Sequence, residues 1–196
     1  MKKLVIFDLD GTLLNTIADL AHSTNYALNK LGYPTHEIEK YNFMVGNGID
    51  KLFERALPEE EKSKENVLRV RKEFVPYYDI HNADDSRPYP GIPELLSYLQ
   101  DAGVQIAVAS NKYQTATQKL VDHYFPEIHF TAVFGQREGV KVKPDPIIVS
   151  DILEVAKVAK EEVLYVGDSG VDMQTAANAG VTACGVTVSY THLTLP

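Results

Sequence analysis

The sequence predicts an α/β protein: a doubly wound parallel sheet with an inserted helical segment. Three observations predict it. Leu4-Val5-Ile6-Phe7 is an unbroken apolar run of strand length, as expected for a strand buried on both faces. From Ile92 onward, strand-like and helix-like stretches alternate, which implies parallel strands joined by right-handed crossovers. Between them, residues 35–88 carry helical pieces and no convincing strand.

The elements follow in order. After the first strand, Ile17, Leu20, Ala21, Thr24, Leu28 and Leu31 recur at helical spacing. A helix is expected from about Thr16 to Leu31, stopped by Gly32 with Pro34 beyond. The next helix is expected from about Ile49 to Leu57. Another should begin after Pro58, a residue that suits a first helical position, with Glu59, Glu60 and Glu61 as a solvated face that complements its dipole. It should continue through Leu68 and Phe74, and Pro76 should kink or end it. Arg87-Pro88-Tyr89-Pro90-Gly91 reads as a stiff return turn. A helix from Ile92 to Ala102, a strand from Val104 to Ala109 and a helix from Tyr113 to Tyr124 come next. A short strand at Ala132 to Phe134 precedes a helix capped by Asp145, with Pro146 in its first position. A strand from Val163 to Val166, a helix from Asp172 to Ala179 closed by Gly180, and a strand from Thr182 to Val186 complete the pattern.

Composition narrows the function classes. A chain of 196 residues can bury a full core. Its net charge of −8 argues against a general binder of nucleic acid or anionic membrane, both of which need basic surface. Cys184 is the single cysteine, so no intramolecular disulfide is expected, and its apolar surroundings predict a small buried hydrophobe. The N-terminal apolar run is too short for a signal peptide and is interrupted by Asp8; no stretch is long enough to span a membrane. A cytoplasmic location is the expectation.

Four stretches carry chemistry. Asp8 and Asp10 follow the first strand with one residue between them. In a strand, that spacing puts both on one face at the carboxyl end, where open α/β sheets bind ligands. Two such carboxylates repel unless a cation lies between them, and a hard divalent ion such as Mg2+ suits oxygen donors. Asp10-Gly11 is also hairpin-turn sequence, but the helical spacing that follows argues against a hairpin. Ser110-Asn111-Lys112 is expected at a strand-to-helix turn, where hydroxyl, amide and backbone N–H groups suit phosphate oxygens; the same residues also make ordinary turns. Lys143 is held by Pro144 beside a helix start and suits a phosphoryl group as a point charge; otherwise it is a solvated surface lysine. Gly167-Asp168-Ser169-Gly170-Val171-Asp172 supplies a second carboxylate pair at a strand end, where helix capping is the alternative role. Each stretch has its own structural explanation, but the four together, at the strand ends and helix starts of one sheet, do not share one.

These stretches resemble the four motifs of the haloacid dehalogenase-like hydrolase superfamily: Asp8-Leu9-Asp10-Gly11-Thr12, Ser110-Asn111, Lys143-Pro144, and Gly167-Asp168-Ser169 with Asp172. The similarity runs from Lys3 to about Val186. The helical insert is similar to the cap of the phosphoglycolate phosphatase-like subfamily. The resemblance implies a Rossmann-like core at residues 1–14 and 88–187 and a cap at 15–87. It implies a Mg2+-dependent phosphatase in which Asp8 attacks phosphorus and Asp10 protonates the leaving alcohol, then activates water. Asp8, the Asp10 backbone carbonyl and Asp168 would hold the metal. Asp172 would support that site from behind or ligate directly. Lys143 would neutralise phosphoryl charge, and Thr12, Ser110 and Asn111 would hold phosphoryl oxygens. The superfamily's dehalogenases lack an acid at the place of Asp10, so the resemblance points to phosphatase chemistry.

In the cap, Gly46-Asn47-Gly48 reads either as a loop that reaches substrate on closure or as a turn with Asn47 left-handed between glycines. The scattered histidines, among them His22, His36, His81 and His123, are expected on the surface or in the cap. Residues 188–196 do not resemble the family, which usually continues with a further turn, helix and strand; a missing C-terminal element and an uncovered fifth strand are expected. The expected partner is a small phosphorylated metabolite, phosphoglycolate first, with no nucleic acid and no membrane, and the chain a monomer or homodimer. The alternatives are a related pyrophosphatase, nucleotide or sugar phosphatase or phosphoglucomutase, and, from another class, a catalytically idle member that binds a ligand or partner.

Overall fold

The computed structural model describes residues 1–187. Its backbone forms two compact units: residues 1–15 together with 88–187, and residues 16–87. The strands are β1 (Leu4–Phe7), β2 (Leu14–Asn15), β3 (Arg87–Pro88), β4 (Gln105–Tyr113), β5 (Ala132–Gln136), β6 (Val163–Gly167) and β7 (Thr182–Gly185). The helices are α1 (Ile17–Lys30), α2 (Ile49–Ala56), α3 (Lys64–His81), α4 (Ile92–Asp101), α5 (Gln114–Tyr124), α6 (Ile147–Ala156) and α7 (Gly170–Ala179). The predicted α/β class and parallel sheet are what the structure shows. No helix among the described residues is long and apolar enough to cross a membrane.

In the first unit the sheet runs β5-β4-β1-β6-β7, every pair parallel. β1 lies at its centre, and all its residues are buried. Leu4 and Ile6 share one face with Ala107, Ala109 and Tyr165. There they meet Ile148, Val149 and Ile152 of α6 and Ala176 and Ala179 of α7. Val5 and Phe7, one residue out of step, point to the other face. Register sets the level of the site: Phe7 pairs with Val108 on one side and Val166 on the other. Whatever follows those three residues emerges at the same edge of the sheet.

After β1 the chain turns tightly. Leu9 O accepts from the N–H groups of Leu13 and Leu14, both at 3.0 Å, and Gly11 takes φ of 87°, which favours glycine. The short strand β2 then precedes α1, an element the helical spacing did not reveal.

The second unit is helical. Phe53 meets Phe74 edge-on at 4.9 Å, Phe74 stacks on Tyr78 at 5.0 Å, and all three are buried. Tyr26 of α1 stacks on Tyr77 of α3 at 3.9 Å. The buried Asp19 carboxylate accepts from the N–H of Asp85 at 2.9 Å, the N–H of Ser86 at 2.8 Å and the Ser86 hydroxyl at 2.6 Å, which ties α1 to the end of the unit.

Three local expectations are corrected and one is narrowed. Pro58 does not open a long helix. Glu59–Glu61 form one 3-10 turn, and α3 begins after Ser63, whose hydroxyl accepts the Asn66 N–H. Of the two outcomes expected at Pro76, an end to the helix is excluded, since α3 runs on to His81. A proline inside a helix costs about 3 kcal/mol, and burial of Phe74 and Tyr78 on either side is large enough to offset it. Pro146 sits at the cap of α6, and Asp145 Oδ1 accepts from Ile147 N–H at 3.1 Å, one residue from the expected arrangement. Cys184 is exposed rather than buried, because β7 is the last strand of the sheet among the described residues and its four residues are all exposed. The expectation for residues 188–196 lies outside the described residues.

If Phe74 offsets Pro76, Phe74→Ala should destabilise the helical unit by about 3–5 kcal/mol in urea unfolding followed by circular dichroism.

Candidate active site

The order β4-β1-β6 brings three strand ends together, and the buried polar groups of the first unit collect there. Asp8 leaves β1 with its N–H bonded to Val166 O at 2.9 Å, so its place is fixed by the sheet ladder. Its Oδ1 accepts from Leu9 N–H at 2.7 Å and lies 2.9 Å from Lys143 Nζ. Lys143 Nζ also contacts Asp172 Oδ1 at 2.7 Å and donates to Ala109 O at 2.9 Å. One ammonium thus uses its donors on two carboxylates and a backbone carbonyl, away from water.

The surrounding groups hold this arrangement in place. Asp172 is fully buried. Its Oδ1 also accepts from the Tyr165 hydroxyl at 3.3 Å, and its Oδ2 accepts from Ser169 N–H at 3.1 Å and from the Ser169 hydroxyl at 2.5 Å. Ser169 in return accepts the Asp172 N–H, which makes a capping box at the start of α7. Gly167 permits it: a Cβ there would lie 2.4 Å from the Asp172 side chain. Asn111 holds the Lys143 backbone at two points, accepting its N–H at 2.8 Å and donating to its C=O at 3.2 Å. Thr12 donates to Asp168 Oδ1 at 3.2 Å.

Burial, the Asp172 carboxylate and the Asp168 carboxylate push the Asp8 carboxyl well above its ordinary range, against the pull of Lys143. Burial opposes the charge on Lys143, but Asp172 and Asp8 outweigh it and hold its pKa well above ordinary. Burial, helped by Asp168 and Asp10, pushes the Tyr89 hydroxyl up to about 12. The site is therefore rich in carboxylates, with the Lys143 ammonium on Asp8 and Asp172 and the Lys112 ammonium on Asp10.

Asp8, Asp168 and Asp172 can each bring a carboxylate oxygen within 4.8 Å of the others, and all three are buried. Such a hard-oxygen donor set suits a divalent metal ion. A second candidate group, Asp19, His22 and Asp85, lies in the helical unit, but its Asp19 oxygens already take the backbone and hydroxyl donors that close the unit.

The structure joins Asp8, Asn111, Lys143 and Asp172 in one cluster of hydrogen bonds and ion pairs, with the Thr12–Asp168 pair beside it, an Asp168 oxygen lying within 4.8 Å of oxygens of Asp8 and Asp172. Ser110 is buried beside it and accepts the Lys112 N–H at 3.1 Å. Asn47 lies in the other unit, where its side-chain oxygen accepts from Arg55 at 2.6 Å. One expectation about the cluster is corrected. Ser110-Asn111-Lys112 is not a strand-to-helix turn, since β4 continues to Tyr113. Polar partners replace apolar burial there: Asn111 takes Lys143, and Lys112 Nζ takes Asp10 Oδ1 at 3.2 Å. Lys112 is the residue that reading from sequence passed over. The available signal was strand alternation, which pairs Lys112 with Ser110 once the strand is extended through them.

Comparison with known proteins finds relatives along almost the whole chain. Residues 5–186 match the family model described as haloacid dehalogenase-like hydrolase. A phosphoglycolate phosphatase of Vibrio parahaemolyticus serotype O3:K6 is 34% identical over 195 residues, covering 97% of this chain and 86% of that protein. A phosphoglycolate phosphatase of Mesorhizobium japonicum is 32% identical, covering 97% and 85%. A crystal structure from Haemophilus somnus 129pt, described as a predicted phosphoglycolate phosphatase, superposes with a TM-score of 0.88 at 31% identity, covering 96% of this chain and 87% of that one.

Lys143→Met would leave Asp8 and Asp172 as buried carboxylates without their cation. It should destabilise the protein by about 3–5 kcal/mol in denaturant unfolding.

Proposed function

The chain belongs to the haloacid dehalogenase-like hydrolase family and is a phosphatase, and on that premise we propose that it hydrolyses a small phosphate monoester, with phosphoglycolate the first candidate. The observation that carries the proposal is the pairing of Asp8 with Lys143 at the end of the central strand, with Asp10 two residues on. The relatives that bear the phosphoglycolate phosphatase name span almost the whole chain, which supports the choice of substrate.

In this reading Asp8 attacks phosphorus in line, and the phosphoryl group passes to its carboxylate. The Leu9 N–H and the Lys143 ammonium both sit on Asp8 Oδ1, which holds the nucleophile in one orientation. Lys143 also offsets the charge of the incoming phosphoryl oxygens. Asp10 gives a proton to the departing alcohol and later takes one from the water that hydrolyses the aspartyl-phosphate. Ser110, Asn111 and Thr12 would hold phosphoryl oxygens or the groups that do. Mg2+ fits the oxygen donors present: Asp8 and Asp168 would hold it with the Asp10 backbone carbonyl, and it would supply charge neutralisation at the phosphoryl group. Both oxygens of Asp172 already serve Lys143, Tyr165 and Ser169, so its role is to hold Lys143 rather than to ligate. A small water-soluble ester as substrate fits a cytoplasmic enzyme.

Release of inorganic phosphate from phosphoglycolate, sugar phosphates, nucleotides and pyrophosphate tests this. The proposal expects Mg2+-dependent turnover with phosphoglycolate foremost, abolished by EDTA and by Asp8→Asn. Preference for another ester would move the substrate, and no turnover by a well-folded chain would overturn the proposal. Metal binding has its own readout: Mg2+ should raise the thermal unfolding temperature of the wild type, and Asp168→Asn should weaken that shift.

A further inference from the structure

We propose that Lys112 is a positioning residue for proton transfer, holding the Asp10 carboxylate in the orientation that serves the ester oxygen. The inference rests on the reading of Asp10 as the proton donor to the leaving alcohol. It concerns where the carboxylate points, not how tightly it holds a proton.

The geometry carries it. Lys112 Nζ lies 3.2 Å from Asp10 Oδ1, with the Lys112 side chain only 2% exposed and that of Asp10 15% exposed. A lysine this buried needs a partner, because an unpaired ammonium away from water is strongly unfavourable. Its own backbone is pinned on several sides. The Lys112 N–H donates to Ser110 Oγ at 3.1 Å, and its carbonyl accepts from the Thr117 hydroxyl at 3.1 Å. β5 approaches so closely that a Cβ on Gly135 would lie 2.5 Å from that carbonyl oxygen. β4 thus delivers the ammonium from a fixed root rather than from a mobile surface stem. Asp10 lies within the tight turn after β1, with its backbone bridged to Leu14, and its side chain is the more exposed of the pair. The two lysines of the site also divide their work: Lys143 is held on Asp8 and Asp172, and Lys112 is held on Asp10.

A core ion pair with no part in the chemistry is the plainer role for Lys112, and leaving-group dependence separates the two. When Asp8 takes the phosphoryl group, the ester P–O bond breaks and an alkoxide must receive a proton from Asp10. p-Nitrophenolate leaves without one. The ratio of kcat/KM for the best alkyl phosphate to that for p-nitrophenyl phosphate therefore reports proton delivery alone. Lys112→Met should lower that ratio roughly ten- to hundredfold, the scale of a misplaced catalytic group. Asp10→Asn should lower it as well. Lys112→Gln, which keeps a donor on a long side chain, is the second variant should Lys112→Met fail to fold, and it should show a smaller loss in the same direction. An unchanged ratio in the Lys112 variants, with both substrates slowed alike, would overturn the inference and leave the lysine a structural or phosphoryl-binding group. An unchanged ratio in Asp10→Asn would instead overturn the reading of Asp10, and this inference with it.

Discussion

The site depends on one buried cation. Lys143 Nζ sits within 3 Å of Asp8, of Asp172 and of the Ala109 carbonyl. Without it, two carboxylates would lie close together where water cannot screen them. With it, a strongly acidic pocket can exist at the edge of an apolar sheet. In the proposed function the same contact would aim the nucleophile and offset the phosphoryl charge, so one group would serve both the folding of the site and phosphoryl transfer.

The fold's part is to make three strand ends coincide. β1 between β4 and β6 puts Asp8 level with the end of β6, and the Asp8 N–H bonds directly to Val166 O. Support then spreads outward by short hydrogen bonds. Asn111 on β4 grips the Lys143 backbone, Ser169 and Tyr165 grip Asp172, and Gly167 leaves room for that carboxylate. These supporting residues come from several elements of one unit, so the site's precision belongs to the sheet. The helical unit has its own aromatic core around Phe53, Phe74 and Tyr78.

Much of this was legible in the sequence, for physical reasons. An apolar run followed by Asp8 and Asp10 marks the carboxyl end of a buried strand, because strand alternation and hydrophobic burial both leave a signal in one dimension. Asp168 and Asp172 were legible for the same reason. What stayed hidden depends on partners distant in the chain. β4 seemed to end at Ala109 because the apolar run ends there, yet Asn111 and Lys112 continue it by pairing with Lys143 and Asp10. Pro76 looked like a break because the burial of Phe74 and Tyr78 has no local signature. Cys184 looked like core because an apolar strand reads alike at the centre and at the edge of a sheet.

The central claim is that Asp8 carries the phosphoryl group. Acid quenching during turnover, followed by peptide mass spectrometry, tests it directly. The account predicts a phosphorylated peptide containing Asp8 that builds up during turnover, decays once the substrate is exhausted, and is absent from Asp8→Asn. Full turnover with no phosphoryl adduct at Asp8, or an adduct on another residue, would contradict it.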